Sequence, residues 1–247
     1  MNYLIIGGSS GLGRDLAYTF AKNKNDLILV SRDEKDLSAL KSDIEARYKV
    51  NVKILSVDFS SIREIESKLF LDEKIFQNLK GILFPVGHMF ENDNIDLNIN
   101  DIDSTLCANY LSIVYTVSKL KDKLILNESS SIVGFGSVSG LLGRSLNSNY
   151  AASKRALESY FESLAFENIK NKINIQFYIL GYLDTNLSFG QDLKIPKGST
   201  KKLSKLVFKN INIKFKKVYY PFIWSLVSLL LKLVPFSLIL KLKFFLK

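Results

Sequence analysis

Ser137, Tyr150 and Lys154 are the residues whose types and spacing best suit proton chemistry. Tyr150 and Lys154 stand four apart, so a helix would present the phenol and the ammonium from one face, and Ser137 precedes the tyrosine by thirteen residues,. A free phenol titrates near ~10, too high for ready proton exchange at neutral pH, but a fixed neighbouring cation favours the phenolate and lowers that value. On this reading Tyr150 is the general acid or base, Lys154 tunes it, and the Ser137 hydroxyl holds a substrate oxygen. The tyrosine–lysine spacing alone is a weak signal. Tyr18/Lys22 and Tyr115/Lys119 repeat it on what read as ordinary helix surfaces, so the serine and the rest of the chain must tell the three apart,.

The elements that would position these groups follow from the hydrophobic pattern. Residues 2–6 read as a strand that runs into GGSSGLG and then a helix with apolar Leu12, Leu16, Ala17 and Phe20,. Strand, glycine turn and helix make a phosphate-binding arrangement: Gly7, Gly11 and Gly13 let the backbone approach a pyrophosphate, and the helix N-terminus offers unpaired N–H groups. The spacing, Gly-x-x-x-Gly-x-Gly, departs from the usual dinucleotide fingerprint,. A second strand, 27–32, ends at Arg32, where a dinucleotide site would read the adenosine ribose. Ser31 and Glu34 suggest a capping box for the next helix, which occupies the acids and leaves Arg32 for a 2′-phosphate; NADP is expected ahead of NAD,.

A helix over 34–48 leads to a third strand, 52–60, with Asp58 at its end positioned to touch an adenine. Then come a helix over 61–70, a strand over 81–87, a polar loop or helix start over 91–103, and a helix over 104–127 that carries Asn109. A fifth strand ends at Ser137, Tyr150 and Lys154 open a helix to about 168, and 173–181 is a sixth strand. Residues 216–221 read as a short seventh strand at the sheet edge. Strands alternating with helices over short connections imply an α/β fold of the doubly wound, Rossmann type, its parallel sheet covered on both faces.

The chain has 247 residues, 47% hydrophobic and 23% charged, enough for one large α/β core,. A single cysteine, Cys107, excludes an intramolecular disulfide, and with a single histidine, His88, no zinc site of the Cys/His type is expected,. A cytoplasmic setting fits, and the opening MNYLIIGGSS has neither a basic leader nor an apolar run of secretory length,. The net charge of +10 is concentrated at one end: thirteen lysines and no acid follow Asp192. They alternate with Leu, Phe and Ile and include no arginine, which points to a membrane surface rather than nucleic acid,.

With these pieces placed, residues 2–190 resemble the short-chain dehydrogenase/reductase family. The resemblance rests on Gly7-Gly8-Ser9-Ser10-Gly11-Leu12-Gly13, Asp58, Asn109, Ser137 and Tyr150-Ala-Ala-Ser-Lys154 in the family's order and approximate spacing. It implies a nicotinamide cofactor and hydride transfer between the nicotinamide ring and a carbonyl or alcohol. It further implies that Tyr150 supplies the proton, Ser137 positions the carbonyl oxygen, and Lys154 binds the nicotinamide ribose and tunes Tyr150. By the same resemblance Asn109 holds a water in a proton relay and Thr185 contacts the nicotinamide carboxamide. Two departures concern structural support: Ile6 stands where the family has threonine before its first glycine, and Phe84-Pro85-Val86-Gly87 replaces an Asn-Asn-Ala-Gly stretch.

Past Thr185 the family pattern is silent. Residues 1–190 are expected to form the dinucleotide-binding and catalytic domain, 191–221 to complete it with a substrate lid within 186–209 and the last strand, and 222–247 to form an amphipathic tail,. In 222–234, a nearly all-apolar helix, Ser225, Ser228 and Lys232 make a narrow polar stripe; Pro235 breaks it, and FSLILKLKFFLK follows,. Spanning needs about 20 apolar residues, and Lys232 and Pro235 weigh against it, so a helix pair lying in the interface of an anionic membrane is the preferred reading. A second copy of the chain is the alternative partner for this tail. A tail of this kind also resembles the ends of family members that reduce lipid-bound ketones. The expectation is therefore an NADPH-dependent carbonyl reductase, peripheral at the inner face of a membrane, for a hydrophobic or lipid-linked ketone. Its rivals are a soluble 3-oxoacyl-thioester reductase, with the tail as an oligomer interface, and a non-catalytic NADP-binding scaffold.

Overall fold

The computed structural model describes residues 2–90, 93, 97–127, 129–143, 145–168, 173–184 and 197–241. Seven strands form one sheet in the order β3-β2-β1-β4-β5-β6-β7: β1 Asn2–Ile6, β2 Asp26–Ser31, β3 Val52–Ser56, β4 Leu79–Phe84, β5 Ser131–Ser137, β6 Asn174–Leu180 and β7 Phe215–Tyr220. Every pairing is parallel, and β7 lies at an edge as its place in the chain suggested. The order reverses between β1 and β4, so the connections run to opposite sides and leave a crevice at the carboxyl ends.

Side-chain alternation along the strands builds a core on each face. Leu4, Ile6, Ile28, Val30, Ile82 and Phe84 pack with Ile113, Val117 and Leu120 of helix α5 (Ser112–Ile125) and Leu157 and Phe161 of α6 (Ser148–Glu167). Tyr3, Ile5, Leu27 and Leu29 face the other way, toward Leu16 and Phe20 of α1 (Gly11–Lys22), Leu37 and Ile44 of α2 (Glu34–Tyr48), and Leu203 and Val207 of α7 (Thr200–Asn210).

Four local expectations shift. The N-cap of α2 is Asp33, whose carboxylate accepts the Asp36 N–H at 2.9 Å; β2 runs through Ser31, so Ser31 cannot cap, and its hydroxyl pairs with that of Ser9 at 2.8 Å. The helix expected over 61–70 is a short α3, Ile62–Glu64, continued by a π-helical turn, Ile65–Leu69. The helix expected from 104 starts earlier, as α4 (Ile99–Leu106), because the Asn98 side chain accepts the Asp101 N–H at 3.0 Å. A π-helical turn, Cys107–Leu111, then joins α4 to α5. Finally, part of the expected lid is α7, which packs on α1 through Phe208 against Phe20 and Ser204 hydrogen-bonded to Thr19 at 2.8 Å. Residues 186–196 of that segment lie outside the described residues.

The tail forms α8 (Ile223–Leu233) and α9 (Phe236–Lys241), separated at Pro235. Among the described residues no helix is long and apolar enough to cross a membrane. The serine stripe is divided between surfaces. Ser228 turns inward to hydrogen-bond Tyr219 at 2.8 Å beside buried Trp224, while Leu226, Leu229, Leu230 and Leu233 are exposed.

Candidate active site

Strands β1 to β6 all end on one cleft of about 500 Å³, lined from Gly7–Leu12 past Ser31–Asp33 and Val57–Ser60 to Ser137, Tyr150 and Lys154. At its first end the chain leaves β1 through Gly7 at φ +92° and enters α1 through Gly11 at φ +48°, both left-handed conformations that side chains resist,. A Cβ at Gly13 would stand 1.9 Å from the Gly7 carbonyl oxygen, so the turn closes only with glycine there. Ser10 is the N-cap of α1 and makes no side-chain capping bond, which leaves the first amides of α1 for an anion,. Together with Ser9 and Leu12 on the cleft wall, this cradle fits a pyrophosphate.

The segment after β4 packs closely on the turn, since a Cβ on Gly7 would meet Val86 N at 2.9 Å. Beyond β2, Arg32 is exposed and its guanidinium stands 4.0 Å from the Asp58 carboxylate. Asp58 accepts from both the N–H and the hydroxyl of Ser60 at 2.8 Å. Asp33 is committed to capping α2, so the acid nearest Arg32 in sequence has a structural task, in line with the expectation for this corner.

At the other end Ser137 closes β5 and accepts the Ser139 N–H at 3.1 Å, while Tyr150 and Lys154 lie in the first two turns of α6. The Ser137 hydroxyl lies beside the Tyr150 phenol on the cleft wall. Lys154 is 4% exposed, with Nζ donating to Val86 O at 3.4 Å and Phe135 O at 3.3 Å and standing 5.8 Å from the centre of the Tyr150 ring. Burial lowers the Lys154 ammonium to about 8. Burial raises the Tyr150 phenol above its ordinary value, and the Ser137 hydroxyl works the other way. The expected lowering by Lys154 is therefore corrected: desolvation dominates, and the ammonium is directed at two carbonyls,. The phenol is held in its protonated form.

The two look-alike pairs differ in kind. Tyr18 donates to Asp43 at 2.7 Å and Tyr115 to Glu66 at 2.6 Å, so each phenol is bound to a carboxylate between helices and raised partly by it. Tyr150 faces a hydroxyl in a cleft.

Asn109 is fully buried in the π-helical turn, where it accepts the His88 N–H at 2.8 Å and donates to His88 O at 2.7 Å and Ser153 Oγ at 3.1 Å. It thereby clamps the segment after β4 to α6, and a Cβ on Gly87 would lie 3.6 Å from Lys154 Nζ and 3.9 Å from Asn109 Oδ1. Thr185 lies outside the described residues. Asp93, which the motif reading passed over, has its carboxylate on the first turn of α6, 2.6 Å from the Tyr150 N–H. It sits among other acids and asparagines in ENDNID, and no local pattern sets it apart.

The short chain dehydrogenase family model matches residues 2–193. An NADP-dependent 3-hydroxy acid dehydrogenase of Schizosaccharomyces pombe is 28% identical over 187 residues, 75% of this chain and 72% of that one. A very-long-chain 3-oxoacyl-CoA reductase of Bos taurus is 26% identical over 230 residues, 91% of this chain and 72% of that one. A solved short-chain dehydrogenase from Sphingobium yanoikuyae in complex with NADPH superposes with a TM-score of 0.80 at 20% identity, covering 95% of this chain and 96% of that one. With the glycine cradle at one end of the cleft and the serine, tyrosine and lysine at the other, the chain belongs to the short-chain dehydrogenase family and is an NAD(P)-dependent oxidoreductase.

Proposed function

We propose that the protein uses NADPH to reduce a carbonyl on a hydrophobic or lipid-linked substrate, working at a membrane surface. The observation that carries this reading is the placement of Ser137 and Tyr150 together with buried Lys154 in the same cleft as the glycine cradle. Bound there, the reduced nicotinamide supplies the hydride. Tyr150, kept protonated by burial, would give its proton to the alkoxide that forms on the carbonyl oxygen as hydride reaches its carbon, an alcohol being a far weaker acid than a phenol,. Ser137 directs that oxygen toward the phenol, and Lys154, anchored on Val86 and Phe135, has a remaining N–H for a ribose hydroxyl,. Asn109 keeps the backbone at His88 in place, and Thr185 takes the carboxamide role that the family resemblance assigns.

Gly7, Ser9, Ser10, Gly11, Leu12 and Gly13 hold the pyrophosphate, Asp58 borders the adenine, and Arg32 meets the 2′-phosphate. The exposure of Arg32 and the capping task of Asp33 support NADPH over NADH,. Support for a hydrophobic substrate comes from the tail. Trp224 of α8 packs on Gly181 and Tyr182, which line the cleft, while the outer leucines of α8 face away from the protein. The alignment with the bovine 3-oxoacyl-CoA reductase also spans most of the chain, so a 3-oxoacyl thioester is the first substrate class to assay.

NADPH and NADH consumption should be followed with 3-oxoacyl thioesters of increasing chain length and with keto-sugar lipids, with and without anionic vesicles. Long-chain substrates turned over faster with NADPH and vesicles support the reading. Equal rates on short substrates with vesicles irrelevant would favour a soluble thioester reductase, with the exposed leucines buried against a second copy.

A further inference from the structure

Asp93, on the segment between β4 and α4, is completely buried and spends its carboxylate on the start of the helix that carries Tyr150 and Lys154. One carboxylate oxygen accepts the Tyr150 N–H at 2.6 Å; the other accepts the Asn149 N–H and the Asn149 side-chain amide, both at 3.0 Å. The Asp93 carbonyl oxygen accepts the Ser148 N–H at 3.1 Å. Asn147, the N-cap of α6, makes no side-chain capping bond of its own. The first amides of α6 are thus satisfied by a residue 57 positions before Tyr150, and its negative charge lies at the positive end of the helix dipole,. On its other side the Tyr150 carbonyl accepts from Ser153 Oγ at 2.7 Å, and that hydroxyl accepts from Asn109 at 3.1 Å. The tyrosine backbone is therefore gripped at both N–H and C=O.

We propose that Asp93 is a positioning residue for proton transfer: with Ser153 and Asn109 it fixes the main chain of Tyr150 so that the phenol meets the Ser137 hydroxyl. Its effect on turnover rests on the carbonyl reductase reading; its grip on α6 does not. In Asp93→Asn the side chain keeps its shape, but an amide N–H₂ replaces one acceptor and faces a backbone N–H, and the charge is gone.

The test uses the full chain with three readouts: hydrogen exchange at the amides of 148–150, NADPH affinity by fluorescence titration, and kcat with its solvent isotope effect. In D93N the account expects faster exchange at 148–150, NADPH affinity within about twofold of native, kcat lower by about 10–100-fold and a larger solvent isotope effect, since an ill-placed donor makes proton transfer limiting. Native exchange at 148–150 in D93N overturns the proposal whether or not the protein reduces a carbonyl. So does a kcat that is unchanged, or that falls only in step with NADPH affinity. A native protein that binds NADPH but reduces no carbonyl sinks the functional reading alone, and the exchange result still decides the grip on α6. Should D93N fail to fold, D93N with Asn147→Asp restores a carboxylate at the N-cap. Recovered exchange protection with kcat within about threefold of native then supports the proposal, and recovered protection with kcat still depressed about a hundredfold overturns it.

Discussion

The ammonium of Lys154 donates to the carbonyl oxygen of Phe135 at 3.3 Å, two residues before Ser137 on the same strand. The contact couples α6 to β5 and holds a cation in a place where burial lowers its affinity for a proton to about 8. An unfolded lysine titrates at 10.5, so between about 8 and 10.5 the unfolded chain binds more protons than the folded one and stability rises with pH,. The rise should be seen in cofactor-free protein from about pH 8 and end near pH 10. There Tyr3, Tyr160 and Tyr178, raised to about 12 by burial, reverse the sign because the unfolded chain loses their protons first. Lys154→Met should flatten the rise and raise neutral-pH stability by up to about 3 kcal/mol while abolishing turnover. Denaturant unfolding at pH 7 and pH 9.5 checks it; an equal slope in both proteins would contradict the assignment.

Gly13→Ala places a methyl 1.9 Å from Gly7 O and 2.8 Å from Gly7 C, both backbone atoms that cannot turn aside. The turn must open, at a cost of about 1–3 kcal/mol of stability and with loss of NADPH binding. Thermal melting and fluorescence titration measure the two effects separately, and native NADPH affinity in the variant would mean that the cradle lies elsewhere.

Arg32→Ala should raise KM for NADPH about 10–100-fold, the equivalent of about 1.5–3 kcal/mol from a charge-assisted hydrogen bond, and leave KM for NADH nearly unchanged. Equal effects on both cofactors would place the arginine outside the 2′-phosphate site.

The exposed face of α8 yields a prediction at the membrane. Leu229, Leu230 and Leu233 are 57%, 63% and 72% exposed, with lysines before and after the helix in sequence. Replacing all three with glutamate should weaken binding to anionic vesicles at least tenfold, as about 1.5–3 kcal/mol per buried leucine is forfeited and negative charge is added. Turnover of a short, water-soluble substrate should stay within about twofold of native. Flotation with vesicles reads the first effect. Unchanged flotation with a shift from dimer to monomer would assign the face to a second copy.

What could be read from the sequence was local. Strand, glycine turn and helix lie within residues 2–22, and the serine, tyrosine and lysine within eighteen, so the rules that place them act over a few turns of chain,. The acid at the tip of β2 also kept its predicted kind of work, although the cap of α2 is Asp33, two residues past Ser31, which β2 takes up. Asp93 and α7 were not legible for the opposite reason. Each matters through a partner far along the chain, Tyr150 for the first and Phe20 for the second, and such pairings exist only once the sheet has brought them together. The inward face of α8 is a similar case, fixed by Tyr219 meeting Ser228 and by Gly181 leaving room for Trp224. The effect of Lys154 on Tyr150 was misjudged because spacing reports proximity and says nothing of burial, which proved the larger influence,.

The most direct test of the account is Tyr150→Phe, which removes one oxygen from the cleft. NADPH affinity within about twofold of native, with carbonyl reduction down by at least about a thousandfold, is the predicted result. Reduction continuing at a tenth of the native rate or more, with NADPH still bound, would contradict the claim that this phenol delivers the proton.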